Sequence, residues 1–149
     1  MLYIGSDHGG FSLKTDLITA LKKTDIKFQD LGTTSTMACD YPIIAQKVAL
    51  KVQSDKEHRG LLICTSGIGM AITANKFKGI YAAPITSLQG VKQARQHNGI
   101  NLLCLPGTLE ASVAFQLLHV FLTTSIDTAE RHIRRRQEIL DFESKNFVD

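Results

Sequence analysis

Gly60-Leu61-Leu62-Ile63-Cys64 runs directly into Thr65-Ser66-Gly67-Ile68-Gly69-Met70. The first five residues read as a short buried strand, and the glycines as a loop that opens a helix. A cysteine then stands at the carboxyl end of a strand, which is where an open α/β sheet binds ligands. Helix N–H groups and the helix dipole favour an anion at that place, a thiolate included. Cys64 is therefore the leading candidate for chemistry. Ser66, Gly67 and Gly69 supply a backbone nest for an oxyanion or phosphate. The loop is not the dinucleotide fingerprint, because Ile72 stands where the third glycine belongs. Nor does it suit a cysteine phosphatase, because Met70, six residues after the cysteine, takes the place of the required arginine.

Strands and helices alternate outward from this stretch. Leu2–Ser6 reads as a first strand and Asp7-His8-Gly9-Gly10 as a turn at the same edge of the sheet. Phe11–Lys23 reads as a helix, Ile26–Leu31 as a second strand and 32–39 as a Thr/Ser-rich loop. Asp40 is placed to cap a helix with Pro42 in its first turn. Leu61–Cys64 is the third strand, followed by a helix over Gly67–Phe77. A fourth strand over Gly79–Pro84, a helix over Ser87–His97, a fifth strand over Asn101–Leu105 and helices over Leu109–Thr123 and Asp127–Asn146 complete the chain. The pattern predicts one domain: an α/β open sheet of about five mostly parallel strands with helices on both faces. The last helix has few apolar positions (Ile133, Ile139, Leu140, Phe142), which suits either packing on a partner subunit or a solvated terminal helix.

Composition narrows the function. The chain has 149 residues, a formal charge of +3, no tryptophan and no basic–aromatic alternation, so no nucleic-acid surface is expected. No apolar run is long enough to span a membrane. Three cysteines without metal-site spacing, and no signal peptide, predict reduced thiols in a cytoplasm and no metal centre.

Other residues are candidates with plainer readings beside them. Asp7 and His8 form either a turn with a helix cap or a proton-transfer pair. His97 and Asn98 form either a helix end or a general acid/base with a polar neighbour. Arg131 and Arg135, four apart, share a helix face; they are either solvated or a phosphate clamp. Arg134, flanked by Glu130 and Glu138, suits a solvated face.

Together the motifs Gly5-Ser6-Asp7-His8-Gly9-Gly10-Phe11, Asp40-Tyr41-Pro42, Cys64–Met70, Ala74-Asn75-Lys76, Arg95-Gln96-His97-Asn98 and Arg131-His132 with Arg135 resemble the ribose-5-phosphate isomerase B family, which also holds galactose-6-phosphate isomerase subunits. The resemblance implies a three-layer Rossmann- or flavodoxin-like fold, no cofactor, and a homodimer or dimer of dimers with interface active sites. It implies Cys64 as catalytic base assisted by Ser66, an anion hole from Gly67, Ile68 and Gly69, and ring opening by His97 and Asp7. It further implies substrate contacts from Asn98 and Tyr41 and phosphate contacts from His8, Arg131 and Arg135. The expected reaction interconverts D-ribose 5-phosphate and D-ribulose 5-phosphate, a step of the non-oxidative pentose phosphate pathway. A hexose 6-phosphate (allose or galactose 6-phosphate) isomerase and a non-catalytic sugar-phosphate-binding subunit are the alternatives. Three positions depart from the family pattern: Thr65 for glycine, Gly99 for aspartate, and Leu105-Pro106-Gly107-Thr108 for Leu-Gly-x-Arg.

Overall fold

The computed structural model describes residues 1–147. Five parallel strands form one sheet in the order β2-β1-β3-β5-β4. They are β1 (Leu2–Ser6), β2 (Phe28–Asp30), β3 (Arg59–Cys64), β4 (Ala82–Pro84) and β5 (Leu102–Pro106). The helices are α1 (Phe11–Leu21), α2 (Tyr41–Gln53), α3 (Ile68–Ala74), α4 (Leu88–Gln93), α5 (Ala111–Thr123) and α6 (Glu130–Asn146).

Alternation along the strands divides the core in two, because successive side chains point to opposite faces. Leu2, Ile4, Leu61, Ile63, Leu103 and Leu105 pack beneath α1, α4 and α5. Tyr3, Leu62, Cys64, Leu102 and Cys104 pack beneath α2 and α3. Both faces are covered, so the strands read as continuous apolar runs. The helices after β1 and β3, neighbouring strands, leave to opposite faces. Their loops therefore part at the carboxyl edge and open a crevice there.

Several elements are shorter than their sequence patterns suggest, and each has a local cause. The Thr24 hydroxyl accepts from Ile26 N–H and donates to Leu21 O, so a turn takes residues that alternation assigns to β2. Asn101 Oδ1 accepts from Tyr81 N–H, which delays β4 to Ala82. The Asn75 side chain bonds both Ala82 N–H and Ala82 O, ending α3 before Phe77. The helix beginning at Leu88 widens into a π-helical turn over Ala94–Asn98, ended by Gly99 at φ +67°. Asp40 holds the cap position of α2, with Pro42 in the first turn, but its side chain makes no capping bond.

A buried lysine ties the crevice loop down. Lys14, 2% exposed, donates to Asp30 Oδ2 at 2.5 Å and to Thr33 O at 2.7 Å. Thr33 N–H in turn donates to Ser6 O. Lys14→Met removes the cation and leaves Asp30 and Thr33 O without it. Loss of about 2–4 kcal/mol of stability is expected, near the range for breaking a mostly buried pair. Denaturant unfolding checks it; a change under about 0.5 kcal/mol, the size of an ordinary surface substitution, would contradict the reading.

Candidate active site

Three loops meet at the carboxyl edge, from β1, β3 and β5. Gly107 N–H donates to Cys64 O at 2.7 Å, and Asp7 N–H to Ile63 O at 3.3 Å. A side chain at Gly107 would collide with Gly9 O, and one at Gly9 with the Thr65 hydroxyl. The loops are packed against one another with no room for a Cβ between them.

Cys64 lies at the centre of this edge. It is 5% exposed and belongs to the apolar cluster beneath α2 and α3. Its Sγ accepts from Gly67 N–H at 3.1 Å. Gly67 is the cap of α3 at φ +77°, a conformation that suits glycine. That geometry turns the amide back onto the sulfur, so the sulfur receives a donor and the positive end of a helix dipole together. Ser66 is exposed, and its Oγ accepts from Ile68 N–H at 3.3 Å. Gly67 and Ile68 therefore already have acceptors. Gly69 N–H has none among the described residues.

Asp7, 5% exposed, accepts from Gly9 N–H at 2.9 Å and Gly10 N–H at 3.2 Å through one oxygen. The capping reading of Asp7 therefore holds. His8 is exposed, and its Nδ1 accepts from Cys39 N–H at 3.2 Å. Tyr41, at the start of α2, lays its ring over Gly69; a Cβ there would sit 2.7 Å from the ring. Asp7, His8, Tyr41, Cys64, Ser66 and the Gly67–Gly69 backbone are thus brought to one edge. Burial pushes the Cys104 thiol well up, in keeping with an inert core residue.

The other candidates are elsewhere. His97 and Asn98 precede β5, so they lie at the amino edge of the sheet. Arg59, which opens β3 beside Leu102, marks the same edge. Arg59 to Cys64 is five strand steps, roughly 17 Å at ~3.3 Å each. His97 stacks on His132 of α6, with ring centroids 4.1 Å apart and planes 4° apart. Arg131 and Arg135 are exposed on α6, and neither is ion-paired among the described residues. Arg134 pairs with Glu138 at 3.8 Å, as its flanking charges suggest. One chain therefore places the candidate residues in two groups at opposite edges of its sheet.

No local sequence pattern assigns a role to Arg136, Asp127 or His132, which surround His97 at the amino edge. Arg136 donates to His97 O at 3.1 Å and to Asp127 O at 2.9 Å, fastening α6 to the π turn. Asp127 N–H donates to Gln96 O at 2.9 Å. A bond from Ala129 N–H is the main cause holding the Asp127 carboxyl below its usual range. Burial, with His97 and Arg131 close by, holds the His132 imidazole below its ordinary value. A depressed imidazole stays neutral in the fold and protonates first in the unfolded chain. Its contribution is therefore present above the unfolded value of about 6.5 and is lost as pH falls below it. Melting temperature is expected to drop on acidification from pH 7.5 to 5.5, and to drop less in His132→Phe. An equal drop in both proteins would contradict this.

Residues 2–139 match the family described as Ribose/Galactose Isomerase. This chain belongs to the ribose/galactose isomerase family. A relative from Listeria innocua, named ribose-5-P isomerase B, is 43% identical over 120 residues, covering 80% of this chain and 81% of its own. The ribose-5-phosphate isomerase B of Mycoplasma genitalium, solved with bound ribulose-5-phosphate, superposes with a TM-score of 0.90 at 35% identity, covering 97% of each chain. That of Thermotoga maritima superposes at 0.89 with 38% identity, covering 94% of this chain and 97% of its own.

Two departures from the isomerase family pattern, Gly99 and Thr65, have local explanations, and nothing in the structure explains Pro106 or Thr108. Gly99 has the positive φ that ends the π turn, and a Cβ there would approach Arg136 Cδ at 3.3 Å. Gly107 is held against Gly9. Thr65 is exposed and lays its hydroxyl over Gly9, so it fills the gap between the β1 and β3 loops.

Proposed function

We propose that this isomerase interconverts D-ribose 5-phosphate and D-ribulose 5-phosphate through an enediolate, with Cys64 as the base. The observation that carries the reading is Sγ at the nose of α3, accepting from Gly67 N–H. The sulfur, as thiolate, takes the proton from C2 and returns it to C1. Oxidation at one carbon balances reduction at its neighbour, so the reaction needs no external electron acceptor. Ser66 and Gly69 N–H are available for the developing oxyanion, while Gly67 N–H steadies the sulfur. Donors placed for charge that develops in the transition state are worth about 3–4 kcal/mol each when removed.

His97, with Asp7, opens the furanose ring; Asn98 and Tyr41 contact the sugar. Arg131, Arg135 and His8 hold the phosphate, which positions the reacting carbons from a distance. Because His97, Asn98, Arg131 and Arg135 lie at the amino edge, they serve the Cys64 of a second copy of the chain. Exposed Ile133, Ile139, Leu140 and Phe142 on α6 suit such an interface. A homodimer or dimer of dimers with shared sites follows.

A panel of pentose and hexose phosphates tests the substrate. Purified protein is expected to give its highest kcat/KM with ribose 5-phosphate. Preference for a 6-phosphohexose, or no turnover, would overturn the assignment. Arg131→Ala is expected to raise KM for phosphorylated sugar about 10- to 100-fold, the size of a lost charge-assisted bond, with little change in kcat. An equal loss of binding to unphosphorylated ribose would contradict the clamp.

A further inference from the structure

His132 carries no role in the reaction derived so far, yet its surroundings are specific. It is 5% exposed, and its Nε2 is buried without a hydrogen-bond partner. Asp127 Oδ2 approaches Nε2 at 3.6 Å, beyond hydrogen-bond length. One face of its ring is covered by the ring of His97, almost parallel to it. Arg136 fixes the backbone on both sides of the stack through His97 O and Asp127 O.

His97, Asp127 and His132 have donor atoms within 4.8 Å of one another, which invites a metal reading. The ring geometry opposes it. A metal lies in the plane of each imidazole that binds it, and two parallel planes about 4 Å apart share no such point. The arrangement suits stacking instead.

We propose that His132 is a positioning residue for ring opening, an uncharged flat platform on which His97 is held while it gains and gives up a proton. This rests on the proposed role of His97. Protonated His97 is a cation against the face of a neutral ring, an arrangement that is attractive. Were His132 charged as well, two cations would face each other at about 4 Å and repel. The groups facing the pair are Arg131, Arg135 and Arg136 from α6 and Asp127 from the loop before it. The three guanidinium groups disfavour a second positive charge; Asp127 favours one. Burial reinforces the neutral state of His132.

Substrate chemistry isolates the step. Ribose 5-phosphate must open its ring before C2 can lose a proton. Ribulose 5-phosphate has the hydroxyl that would close its five-membered ring esterified, so it is already an open chain. In His132→Ala at saturating substrate, kcat for ribose 5-phosphate is expected to fall about tenfold or more, within the range of acid–base assistance, with a matching fall in KM, while kcat for ribulose 5-phosphate, whose open-chain product leaves without ring closure, stays within about threefold. His132→Gln, which fills much of the space without a ring, must behave like the alanine variant and guards against a folding artefact. His132→Phe restores the flat face and is expected to recover most of the ribose 5-phosphate rate. Equal loss of both rates, a phenylalanine variant as poor as glutamine, or no loss in any variant overturns the proposal. Failure of the underlying reading is separate: His97→Ala would then lower kcat for both sugars equally, or the wild-type protein would consume neither.

Discussion

Cys64→Ser is expected to lower isomerase turnover by about 10³-fold, the scale of losing a positioned base, while the protein remains folded. Serine is nearly isosteric and keeps an oxygen to accept from Gly67 N–H, which binds Sγ at 3.1 Å in the native protein. It lacks the acidity that would let it ionise at the nose of α3. Cys64→Ala is expected to be as inactive and also less stable, because Gly67 N–H, buried with its residue, loses its acceptor. An unsatisfied buried donor costs about 1–3 kcal/mol. The serine and alanine variants thus separate chemistry from stability. Activity assays and thermal melts on the pair check both; a serine variant with near-native turnover would remove Cys64 from the mechanism.

The second large effect is complementation. With saturating ribose 5-phosphate as substrate, Cys64→Ala and His97→Ala are each expected to be nearly inactive alone. If the two groups of residues at opposite edges of the sheet are joined between chains, a mixed dimer has one intact site and one doubly altered site. Random mixing of equal amounts puts half the chains' pairings in that form, giving about one quarter of wild-type activity. The variants must be refolded or co-expressed together so that subunits exchange. No activity from the mixture, with mixed dimers demonstrated, would show that each site is built within one chain.

Much of the fold was legible because the strands are buried on both faces and the helices are punctuated by glycines. The stretch ending at Cys64 places the cysteine at the carboxyl edge without further help. Element ends were harder to read, since side chains distant in sequence decide them. Asn101 captures Tyr81 N–H twenty residues away, and Asn75 reaches across to Ala82. The same reason hides part of the site. Spacing shows that Arg131 and Arg135 share a face, but not that their helix lies at the amino edge with His97. Nor does any local pattern distinguish His132 from an ordinary helical histidine or Arg136 from its two neighbours in the Arg134-Arg135-Arg136 run. Their roles come from the stack and from the carbonyls that Arg136 gathers. Lys14 is similar: a lysine on a helix reads as solvated, and only the fold shows it buried against Asp30.

The origin of the hydrogen that arrives at C1 tests the central claim most directly. Ribose 5-phosphate is converted in deuterated water and the ribulose 5-phosphate is read by NMR. Wild-type protein is expected to place solvent deuterium at C1, and Cys64→Ser to place none above background. The C2 hydrogen that is not exchanged is expected to be carried over to C1 by the same sulfur; native labelling and native turnover in the serine variant would contradict proton transfer by this sulfur.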